Sequence, residues 1–148
     1  MIKFLSMVSM QTFFTALADR TRRRILNLIR DQELCVCFLT EVLDVSQPKI
    51  SRHLAYLRNA EIVAPRRDGK WMYYRIIEPE DLYAAQILND TLNWLASEER
   101  MQADYEKLNL IYSSPNIPVQ IVRAPQPNVL RKADVLLQKR EELDTFLL

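Results

Sequence analysis

Two cysteines stand two positions apart, Cys35 and Cys37, in a chain of 148 residues that has no others. Paired thiols can ligate a soft ion, act as a redox couple, or fill core space as small apolar groups. A second set follows closely: Gln47, Lys49, Ser51, Arg52 and His53. Arg and Lys pair well with guanine edges, and Gln suits adenine. A third, Arg66-Arg67-Asp68-Gly69-Lys70, gathers three cations of the kind that contact phosphates.

Composition removes other chemistries. One Gly, Gly69, cannot build a glycine-rich phosphate loop or a dinucleotide fingerprint, so no organic cofactor is expected. One His, His53, excludes multi-histidine metal sites and most Ser/His/Asp catalysis. The chain is therefore not expected to be an enzyme. No run approaches the roughly 20 apolar residues of a membrane span. The start, Met1-Ile2-Lys3-Phe4-Leu5, lacks the pattern of a secretory signal. Cysteines this close make a poor disulfide framework, which points to a reducing cytoplasm. His53, beside Arg52, reads as a DNA or phosphate contact rather than a metal ligand.

The net charge of +1 conceals an asymmetry. Residues 1–77 carry thirteen Lys/Arg against seven Asp/Glu, and residues 78–148 carry seven against twelve. A basic front half suits a polyanionic partner.

The elements that must position these groups follow from periodicity. Met10, Phe13, Phe14, Leu17 and Ala18 share one helix face over 10–18. Asp19 is placed to cap a second helix, 20–31, with Ile25, Leu26, Leu28 and Ile29 as its apolar residues. Leu34 to Leu39 leads into a short helix through Val42 and Leu43. After a tight link, Ser46 is expected to cap a helix over 47–59, with Pro48 in its first turn and Ile50, Leu54 and Leu57 inward. Residues 62–77 change period, and Asp68-Gly69 between β-prone runs signals a hairpin. Trp71, Tyr73 and Tyr74 read as its packing face. Pro79 is expected to open a long helix, 79–110, with Leu82, Ala85, Leu88, Leu92 and Leu95 as a seam.

The order is short helix, turn, polar-faced helix, hairpin. That predicts a mainly α winged helix-turn-helix with a small β-hairpin, occupying residues 1–112. Residues 113–128 hold four of the seven prolines and read as a linker, and 129–148 as a C-terminal amphipathic helix. The seam implies a homodimer, with Phe13, Phe14, Leu88, Leu92 and Leu95 at its interface. The DNA contacts expected are Gln47, Lys49, Ser51, Arg52, His53, Arg66, Arg67 and Lys70.

Four stretches carry a family resemblance. They are Ala16-Leu17-Ala18-Asp19-x-Thr21-Arg22-x-x-Ile25-Leu26, Glu33-Leu34-Cys35-Val36-Cys37, Ser46-Gln47-Pro48-Lys49-Ile50-Ser51-Arg52-His53-Leu54-x-x-Leu57-Arg58 and Gly69-Lys70-Trp71-x-Tyr73-Tyr74-Arg75. Together they resemble the ArsR/SmtB family of bacterial metal-sensing repressors over about residues 10–100. The resemblance implies a homodimeric winged-helix repressor that binds an operator dyad and releases it on binding a metal or metalloid. In the arsenic-sensing branch the Cys-Val-Cys pair takes As(III) or Sb(III) as inducer, and here that pair is Cys35 and Cys37. That branch often carries a third Cys three positions after the second; this chain has Thr40 there, and Phe38 in place of the usual Asp. With no other Cys there is no N-terminal thiolate set, and no His follows the wing to build the family's zinc site.

In an ideal helix, residues i and i+2 point to nearly opposite sides. The two sulfurs are therefore expected to converge only if the start of the third helix unwinds. Two alternatives stay open: a winged-helix repressor whose signal is oxidation of the pair, and a thiol redox protein. The second is disfavoured by the Cys-x-Cys spacing and the lack of a thioredoxin-like strand–helix pattern.

Overall fold

The computed structural model describes residues 8–113. The expected linker and C-terminal helix, 113–128 and 129–148, lie outside the described residues except for Ser113. The elements are α1 (Met10–Ala18), α2 (Arg20–Ile29), β1 (Leu34–Cys35), α3 (Val36–Leu43), α4 (Gln47–Asn59), β2 (Val63–Asp68), β3 (Trp71–Ile76), α5 (Leu82–Ser97) and α6 (Glu99–Ser113).

Local chemistry sets most boundaries. Ser9 caps α1 through the Thr12 N–H, and Asp19 caps α2 through the Arg22 N–H. Asp44 ends α3 in the left-handed region, at φ 52° and ψ 47°. Ser46 is the N-cap of α4, but its hydroxyl makes no capping bond; Pro48 still lies in the first turn. In the hairpin Asp68 pairs with Trp71, so Gly69 and Lys70 form a two-residue turn. Gly69 has φ +58° and Lys70 no positive φ, the pattern of a type II′ turn.

The sheet order is β1-β3-β2, all antiparallel. β1 is only two residues long, with Leu34 opposite Tyr74 and Cys35 opposite Tyr73. Ile25, Leu26, Leu39, Ile50, Leu54, Leu57 and Ile62 are fully buried at the centre. Tyr73 is buried, and Trp71 and Tyr74 pack against that core, as expected of the hairpin's packing face.

The long helix after the wing is two helices. Asp81, not Pro79, starts α5, because its carboxylate accepts the N–H groups of Tyr83 and Ala84. Glu98 then turns extended (ψ 135°) and separates α5 from α6. The break sets α6 against α2 and α3. Leu108 is fully buried, and Asn27 donates to the Met101 carbonyl at 2.9 Å.

Candidate nucleic-acid interface and thiol pair

The inward face of α4 is Ile50, Leu54 and Leu57, which leaves Gln47, Lys49, Ser51 and Arg52 exposed together. Arg67 and Lys70 are exposed at the hairpin tip, with the Lys70 ammonium 5.1 Å from the Trp71 ring. All six side chains are open to solvent.

Two others are occupied elsewhere. His53 is half-buried, with Nδ1 3.3 Å from an Arg22 guanidinium nitrogen and 3.6 Å from the Asp19 carboxylate. Arg66 donates to Glu33 at 2.7 Å and stacks over the Tyr73 ring at 4.4 Å. His53 is thereby held partly inside the fold, whereas Arg66 stays exposed beside its Glu33 partner.

Arg22 emerges as an organising residue that sequence reasoning missed. It is buried, donates to the carbonyls of Ala16 (2.9 Å) and Thr15 (2.8 Å), and lies 4.7 Å from the Tyr56 ring. It thus satisfies the end of α1 and fixes α4 to it. The signal was its place three residues after Asp19. Burial raises the Asp19 carboxyl, but the Arg22 N–H and the charges of His53 and Arg22 outweigh it and leave it below the usual value.

The apolar residues expected at a dimer interface divide. Phe13, Leu88 and Leu95 are buried within the single chain, and Leu92 packs against its core. Phe14 is exposed, and so are Met10, Tyr83, Ile87 and Trp94. Met10, Phe14, Tyr83 and Ile87 line a groove between α1 and α5.

The thiols meet without any unwinding. Cys35 is still extended (φ −66°, ψ 143°) and is itself the N-cap of α3, its sulfur accepting the Cys37 N–H at 3.4 Å. The helix begins between the two residues, so the opposed directions of a continuous helix do not apply. The two thiols lie within hydrogen-bonding reach. That bond, aided by the Cys37 and Phe38 N–H groups and opposed by burial, lowers Cys35 to about 7. The same bond, with burial and the charge on Cys35, pushes Cys37 up. Cys35 is therefore the thiol that ionises first, and Cys37 keeps its proton.

Thr40, where a third sulfur would stand, donates to the Cys37 carbonyl at 2.8 Å. No cluster of three or more His, Cys, Asp or Glu exists among the described residues. Two phenols complete the surroundings. Tyr73 faces Cys35 across the sheet, and Tyr112 of α6 packs on Phe38 with ring centres 5.0 Å apart. Burial first, then nearby negative charge, from Cys35 and Asp68 on Tyr73 and from the thiol pair on Tyr112, raises each phenol above its ordinary value.

A family model for bacterial regulatory proteins of the arsR family matches residues 19–64, which contain the thiol pair and α4. The arsenic resistance transcriptional regulator ArsR1 of Pseudomonas putida KT2440 is 44% identical over 72% of this chain and 82% of its own length. The chain belongs to the arsR family. This ArsR-family protein is a winged helix-turn-helix DNA-binding regulator and not an enzyme. The arsenical resistance operon repressor of Escherichia coli K12 is 45% identical over 61% of this chain and 76% of its own length. Among solved structures, the repressor BigR from Xylella fastidiosa has a TM-score of 0.51 at 27% identity, covering 60% of this chain and 85% of that one. No helix among the described residues is long and apolar enough to cross a membrane.

Proposed function

We propose that this ArsR-family protein is a cytoplasmic, homodimeric repressor that binds an operator dyad and releases it when As(III) or Sb(III) binds Cys35 and Cys37. One observation carries this reading: the two thiols are already adjacent at the junction of β1 and α3. The donor set fits a soft, thiophilic trivalent ion, since the Cys35 thiol is lowered to about 7 and the Cys37 sulfur lies beside it. The names of the two similar regulators, both arsenic resistance proteins, support the inducer class.

Cys35 connects to both DNA-contacting parts. Its sulfur caps α3, which packs on α4, and its backbone pairs with Tyr73 of β3 in the wing. Ligation draws electron density from that sulfur and weakens the cap, loosening α3 against α4. Gln47, Lys49, Ser51 and Arg52 read the major groove, and Arg67 and Lys70 hold phosphates. His53 and Arg66 set the orientation of α4 and the wing through Asp19, Arg22 and Glu33. Met10, Phe14, Tyr83 and Ile87 form the face between protomers.

Operator binding with and without arsenite, on the parent and on the Cys35→Ser/Cys37→Ser variant, tests the reading. The parent should release DNA and the variant should stay bound. Arsenite release in the variant would end it. The hydrogen-bonded thiols also favour a second reading, release by oxidation, and an oxidant arm in the same assay separates the two.

A further inference from the structure

Among the buried side-chain polar atoms without a hydrogen-bond partner are the phenol oxygens of Tyr73 and Tyr112. Buried hydroxyls normally find partners, and an orphan costs roughly 1–3 kcal/mol. These two share a neighbourhood. Tyr73 is 4% exposed and is the cross-strand partner of Cys35, which puts both side chains on one face of the sheet. Tyr112 packs on Phe38, the residue after Cys37. The hydroxyl of Thr40 is already used on the Cys37 carbonyl.

We infer that Tyr112 and Tyr73 hold the third ligand of the bound metalloid: an oxygen kept on arsenic by two phenols where a third sulfur is missing. This rests on the metalloid reading above. Arsenous acid, As(OH)3, exchanges two hydroxides for Cys35 and Cys37. Two protons, one from the Cys37 thiol and one from the Cys35 thiol or, where Cys35 is already a thiolate, from solvent, leave with those hydroxides as two waters; two As–S bonds replace two As–O bonds, and arsenic stays trivalent. One As–OH remains. Its oxygen has two lone pairs, and protonated phenols are donors. The two orphaned hydroxyls thereby gain a common partner. Tyr112 and Tyr73 are positioning residues in this scheme, since neither bonds to arsenic.

The test uses the full chain without added thiol, with arsenite and phenylarsine oxide as probes. Phenylarsine oxide takes two sulfurs and keeps a phenyl group, so it retains no hydroxide. X-ray absorption on the parent with arsenite should count two sulfurs and one oxygen. Tyr112→Phe and Tyr73→Phe keep the rings and each should weaken arsenite binding by roughly 3- to 10-fold, the size of one hydrogen bond. Phenylarsine oxide binding should not change. Without ligand both variants should be at least as stable as the parent, because an orphaned hydroxyl has been removed; a merely structural role would lower stability instead. Equal losses for both probes, or unchanged arsenite affinity in both variants, would overturn the inference and leave the metalloid reading intact. Failure of the parent to bind either probe would overturn the metalloid reading itself.

Discussion

Arg24 grips Asp104 with two hydrogen bonds, 2.7 Å from Nε and 2.9 Å from the second guanidinium nitrogen, and so joins α2 to α6. Their side chains are only 12% and 6% exposed. The pair holds α6 in place, and α6 brings Tyr112 onto Phe38, the residue after Cys37. Removing one partner leaves the other charged and unsatisfied. Asp104→Ala should cost about 3 kcal/mol in urea unfolding, whereas Arg24→Met with Asp104→Leu should cost far less. A double variant as unstable as Asp104→Ala would show that packing of α6, not the uncompensated charge, dominates.

Asp19 links stability to acid. Its folded value lies below the ordinary 3.8, so its contribution is complete above that value and disappears as pH falls through the folded one. Asp19→Ala should cost about 1 kcal/mol at neutral pH, the size of a lost N-cap. Parent and variant should converge in unfolding experiments as the pH falls from 3.8 down through the lowered folded value.

Arg52 and Lys70 should behave differently on DNA. Arg52→Ala should weaken operator binding by about 1–3 kcal/mol with little effect on random duplex, as expected of a base contact. Lys70→Ala should weaken both about equally and reduce the salt dependence of binding. Footprinting and salt titration distinguish them, and an unchanged Arg52→Ala footprint would remove α4 from the major groove.

Leu88 and Ile87 are neighbours with opposite surroundings, 3% and 37% exposed. Leu88→Ala should cost about 2–5 kcal/mol of folding stability, as a core truncation. Ile87→Glu and Phe14→Glu should instead yield folded monomers, with a normal helical spectrum and a halved mass in sedimentation. A stable dimer in both would move the interface off the α1–α5 groove.

The sequence by itself determined whatever is encoded within a few residues. Asp19 marks the start of α2 because its carboxylate reaches an N–H three residues on. The inward residues of α4 follow from helical spacing, and the hairpin turn from the one residue free to take a positive φ. The order of these elements was enough for a winged helix, and the spacing of the thiols marked their position.

Only the tertiary structure decided what depends on partners far along the chain. β1 exists because β3 lies beside it; two residues have no strand signal of their own. Ser97-Glu98 contains no Gly or Pro, so the break is invisible locally and is fixed by packing of α6 on α2 and α3. The partners of His53 and Arg66, Arg22 and Glu33, lie more than thirty residues away and leave no mark in the local sequence. The meeting of Cys35 and Cys37 depends on where α3 begins, and that point is set by the sheet pairing of Cys35 with Tyr73. Spacing along a chain fixes which side chains share a face, but contacts across the fold fix which of them are free to act.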